Sequence, residues 1–265
     1  MLVQQAIDAF IHHEHAQSRD HVASVEACFA AFGDYLLHFS DLYRDAYEDG
    51  DMQLEEWEEA LNTSMDRLLG DDIDSMTDLG VLPLSDLDAE QLRDFFGWYL
   101  LREQGADAAS IEEYCGVMQR WFDFLMAKQR IKADTYMEFS STLQEMGTDA
   151  IRAAKASQLL FHYVRLGAGV APRHRGQHFT DFREGHARIV ELHEQQLMLQ
   201  FDGDEPIGPV PVAAGIASLL GTGDVLDVEL GMRGDAWVIV DVGPVYPGSV
   251  YVESEEFPPA LLKAS

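Results

Sequence analysis

The sequence predicts an α+β protein: an N-terminal all-α helical bundle followed by a small C-terminal antiparallel β-barrel of the SH3-like or OB-like kind. Three observations predict it. Apolar residues recur at steps of three and four as far as residue 166, then at steps of two from Gly185 onward. Gly, Asp and Pro punctuate the last third at short intervals, as turns between strands do. The charge changes with the pattern. Residues 1–150 hold 32 acids and 9 bases, residues 151–188 hold 7 bases and 2 acids, and residues 189–265 hold 13 acids and 2 bases.

Each element follows in order. Val22, Val25, Phe29, Phe32, Leu36, Phe39 and Tyr43 form one stripe along a helix. Leu54, Trp57, Leu61, Met65 and Leu68 repeat that stripe beyond an acidic stretch. Leu92, Phe95, Phe96, Tyr99 and Leu100 mark a further helix, with Asp88 placed to cap it. Ile111, Tyr114, Cys115, Met118, Phe122 and Leu125 mark the next, capped by Asp107 or a neighbour. A last helical run, interrupted near Gly147, ends by Leu166 at "GAGVAP". Residues 1–166 therefore read as the helical domain, divisible into 1–80 and 85–166, and 167–185 as a basic linker. "HARIVEL", "QLMLQF", "DVLDVEL", "AWVIVDV" and "SVYVE" read as five short strands, and "AAGIASLL" as a helical turn between them. They make a barrel domain over 186–257.

The formal net charge is −29, from 47 acids and 18 bases. Such a field repels phosphate, so nucleic acid and anionic membranes are disfavoured partners and another protein is favoured. Lysine occurs only at 128, 132, 155 and 263, a balance that suits a halophilic protein whose carboxylates are screened by salt. No basic region precedes an apolar run at the N-terminus, and no apolar run reaches the roughly 20 residues of a membrane helix, which points to the cytoplasm. Cys28 and Cys115 fall on apolar helical stripes and read as free thiols.

Three polar segments are candidate sites. In "DAYEDGDMQLEEW", residues 45–57, Asp45, Asp49, Asp51 and Glu56 fall at loop positions 1, 5, 7 and 12 of a calcium-binding hand, with Gly50 at the turn. Tyr47 stands where such a loop carries a third carboxylate or amide, so an acidic turn explains the same letters. The histidines of "HHEH", at 12, 13 and 15, lack the spacing of a zinc helix. Arg173, His174, Arg175 and His178 form a basic loop suited to a phosphate, a nucleic-acid backbone or an acidic surface, this chain's own helices included. For catalysis the inventory is thin: "GTGDVLDVEL" lacks the lysine of a phosphate loop, and no nucleophile elbow or Cys–His pairing is present. No cofactor is expected.

Residues 92–131, "LRDFFGWYLLREQGADAASIEEYCGVMQRWFDFLMAKQRI", resemble the helical core-binding domain of tyrosine recombinases. Leu100 and Leu101 match its Leu-rich turn, "EQGADAA" its polar loop, Ser110 and Tyr114 its Ser/Thr-x-x-x-Tyr, and Phe122 with Leu125 its closing stripe. The resemblance implies a helical bundle. The catalytic arginine, His-x-x-Arg and tyrosine nucleophile of that family have no counterparts downstream.

The reading these observations favour is a noncatalytic, two-domain binding or regulatory protein. The alternatives are a nucleic-acid-associated protein using Arg173, Arg175 and the barrel face, and a hydrolase or metal enzyme with its site between domains.

Overall fold

The computed structural model describes residues 1–17, 22–40, 79–167, 169–170, 175–176, 178–201 and 204–250. Its helices are α1 (Val3–Gln17), α2 (Val22–His38), α3 (Ala89–Asp94), α4 (Leu100–Arg102), α5 (Ala108–Ala127), α6 (Ala133–Arg165) and α7 (Ala214–Ala217). The strands are β1 (Phe179–His193), β2 (Gln196–Phe201), β3 (Ile207–Pro211), β4 (Val225–Arg233) and β5 (Ala236–Tyr246). By packing, the chain forms two compact units. One holds Met1–Phe95 with Glu113–Gln144, the other Phe96–Glu112 with Glu145–Ser265, so the divisions fall after Phe95, within α5 and within α6.

The first unit is helical and its core is aromatic. Phe29 meets Trp121 edge-on with ring centroids 5.2 Å apart, and Phe32 meets Phe95 at 5.0 Å. Phe29, Phe32 and Phe95 come from the stripes read in the sequence, at steps of three and four, whereas the buried Trp121 lay outside them. Both expected caps are present. The Asp88 carboxylate accepts from the Gln91 N–H and the Gln91 side chain accepts from the Asp88 N–H, a reciprocal box that starts α3. Asp107 accepts from the Ser110 N–H at 2.8 Å at the start of α5.

The interruption expected near Gly147 is not there, and α6 runs unbroken over 33 residues. One glycine in a helix costs about 1 kcal/mol. The buried stripe of Met146, Ala150, Ala153 and Leu160 offsets it.

The second unit is built on an antiparallel five-stranded sheet of order β3-β2-β1-β4-β5, curled into a half-barrel. Strand β1 makes the curl. Its first part, Phe179–Arg188, pairs with β4, and its later part, Ala187–His193, pairs with β2. Ala187, Ile189, Leu197, Leu199, Leu226, Val228 and Leu230 alternate along these strands and fill the inner face.

Two expectations need correcting here. β1 begins at Phe179, inside the segment read as a linker; Thr180–Glu184 is exposed on both faces, so its pairing with β4 leaves no apolar alternation to read. The fifth strand is Ile207–Pro211, whereas Ser249 and Val250 of "SVYVE" lie in a turn and the rest of that run falls outside the described residues. Pro209 and Pro211 hid β3 from a strand pattern. They also keep it at the sheet edge, because proline has no N–H for a second neighbour.

The later half of α6 covers the other edge. The Val245 N–H donates to Ser157 Oγ at 2.8 Å, so a backbone group of β5 is satisfied by a helix side chain. Among the described residues no helix is long and apolar enough to cross a membrane.

Candidate functional site

The site in the second unit begins with a glycine. A Cβ on Gly231 of β4 would stand 2.6 Å from Phe179 Cδ1 and 2.8 Å from Val240, so only glycine lets the Phe179 ring lie across the strand. Phe179 pairs with Arg233 two residues on, and the ring carries the Arg233 guanidinium at 4.1 Å from its centroid. Gly234, with φ of 68°, then closes a two-residue turn between Arg233 and Ala236, and β5 begins with Ala236 and Trp237.

On the other side stands β3. The sheet brings the β3 and β5 edges near each other without hydrogen-bonding them. Tyr163, near the end of α6, donates from its hydroxyl to the Pro211 carbonyl at 3.4 Å. Burial pushes the Tyr163 phenol up, so it keeps its proton and remains a donor. Its ring packs against Gly169, where a Cβ would lie 2.8 Å from the hydroxyl oxygen.

Between these walls lies a cleft of about 570 Å³. Val170, Pro209, Pro211, Trp237 and Val238 give it an apolar lining, and Gln196, Arg233 and Asp235 give it polar points. Arg233 is the unusual member. Its Nε is buried without a hydrogen-bond partner, and it makes no ion pair among the described residues.

Arg173, His174, Asp45, Asp49, Asp51 and Glu56 fall outside the described residues. Arg175 and His178 are exposed, and Arg175 forms no ion pair with any described acid. The histidines at 12, 13 and 15 serve local contacts: His12 Nδ1 bonds the Asp8 carbonyl at 2.7 Å, His13 meets Gln17, and His15 lies 3.4 Å from Glu26. No group of three metal-ligating side chains is present among the described residues. Cys28 is buried, and burial pushes its thiol up and away from reactivity.

Sequence reasoning passed over Arg233, Gln196 and the two prolines. The signal was there in "GMRGDAW", where a tight turn sets a lone cation beside a tryptophan. Of the aromatics on the sheet, Tyr246 is 1% exposed and packs on His186, so it offers no stacking surface. No protein-family model, no curated protein and no solved structure matches the chain.

Proposed function

We propose that this chain is a noncatalytic binding protein whose C-terminal sheet, an SH3-like or OB-like barrel module, takes its ligand in the cleft between β3 and β5. The observation that carries the reading is the cleft itself. Its 570 Å³ falls within the range of ligand pockets, about 300–1,000 Å³, and it pairs apolar walls with a few polar points. Turnover would need a nucleophile or a proton-transfer pair. The described lining has no Ser, Thr, Cys or His, and Asp235 is its one carboxylate. An acidic helical unit kept soluble by its charge suits a carrier or regulator.

The test is a screen of aromatic fragments against the whole 15N-labelled chain. Shifts gathered on the Gln196 side-chain amide, the Trp237 indole and the Val238 amide are expected. Shifts spread over the helices, or none at millimolar fragment, would overturn the reading.

A further inference from the structure

We infer that the cleft takes a ligand with an apolar body and a single carboxylate, with Arg233 as the group that reads the carboxylate; this rests on the binding reading above.

Arg233 is one of 2 bases against 13 acids in residues 189–265. Two arginines of this unit pair with a carboxylate: Arg152 binds Asp224 at 2.6 Å, and Arg183 lies 3.5 Å from Asp181. Arg233 does not. The Phe179 ring holds it by one face, and its N–H groups make no hydrogen bond to any described residue. Stacking fixes the plane of the fork while leaving its hydrogen-bonding edge uncommitted, which is how an arginine is prepared for a planar carboxylate.

The rest of the ligand follows from the walls. Trp237, Pro209 and Pro211 suit an aromatic or alicyclic body lying flat against them. Charge decides between a carboxylate and a phosphate. One guanidinium matches one negative charge. The field of a chain with net charge −29 disfavours a dianion further.

The experiment compares two probes of one shape on the full chain: 2-naphthoate and the neutral 2-naphthalenemethanol, titrated at fixed ionic strength and followed by calorimetry and 15N shifts. Naphthoate is expected to bind about tenfold tighter or more. Arg233→Gln should bring naphthoate down to the alcohol and leave the alcohol unchanged. Because the first comparison uses only the wild-type chain, a variant that fails to fold does not rescue the idea. Equal affinities for the two probes in the wild type would overturn the carboxylate assignment while leaving the cleft as a binding site. Absence of binding by both, or shifts remote from Trp237, would overturn the assignment and the binding reading together.

Discussion

Arg152 holds the Asp224 carboxylate with a fork of two hydrogen bonds, 2.6 Å from Nη1 to Oδ2 and 2.9 Å from Nη2 to Oδ1. The Gly221 N–H adds a third at 2.7 Å, and Nη1 also donates to the Leu219 carbonyl at 2.8 Å. Asp224 is 2% exposed and the Arg152 side chain 27%, so this small network ties α6 to the start of β4 with its carboxylate out of water. The Asp224 hydrogen bonds push the Arg152 guanidinium up from its already high range.

A buried ion pair costs desolvation, and breaking one side strands the other. Asp224→Ala should therefore lower unfolding free energy by about 2–3 kcal/mol in urea titrations, since the stranded Arg152 is partly open to water. The double change Arg152→Met, Asp224→Leu should recover most of that loss. A double variant as unstable as the single one would show that the pair does more than satisfy itself.

Gly231→Ala tests the floor of the cleft. A methyl there forces Phe179 aside, an overpacking that costs about 1–3 kcal/mol in a thermal or urea melt. It should also loosen the stack under Arg233 and weaken naphthoate more than the alcohol. An unchanged melt would mean that Phe179 does not depend on the missing side chain.

Asp94 makes the first unit sensitive to pH. Burial, with Glu90 and Asp88 adding their charge, pushes its carboxyl from 3.8 to about 7. Between those values the unfolded chain has released this proton and the folded chain still holds it. The contribution of Asp94 to stability therefore falls as pH rises from about 4 to about 7, and is flat above. Asp94→Asn should remove that slope and raise stability at pH 7.5 by about 1–2 kcal/mol, discounted because the side chain is half-buried. A slope identical in wild type and variant would contradict this.

Salt should act unevenly along the chain. Residues 1–150 carry 32 acids against 9 bases, and their mutual repulsion is screened by added ions. Between low and molar potassium chloride, hydrogen exchange in α1, α2 and α5 should slow more than exchange in the sheet. Equal and negligible changes in both would remove the case for salt adaptation.

The helices were legible because their cores repeat at steps of three and four over long stretches, and because Asp88 and Asp107 are side chains that cap by chemistry alone. Four strands were legible for the same reason at period two. What escaped notice depended on partners far along the chain. The first part of β1 has no apolar alternation and exists by pairing with β4; β3 carries two prolines and exists by pairing with β2. The cleft needs Gln196, Pro209 and Trp237 brought together by the curl of the sheet, and no local pattern announces that. Cations stand out in the basic loop, whereas Arg233, which lines the cleft, stands singly among acids in the sequence.

The cleft is tested most directly by filling it. Ala236 lines it at the start of β5, and tryptophan suits a strand position. Ala236→Trp should leave the thermal midpoint within about 2 °C of the wild type, since a surface change is usually small. Fragment-induced shifts at the Trp237 indole and the Gln196 amide should vanish in the same variant. Persistence of those shifts with wild-type affinity, in a variant folded by its spectrum, would contradict a ligand site between β3 and β5.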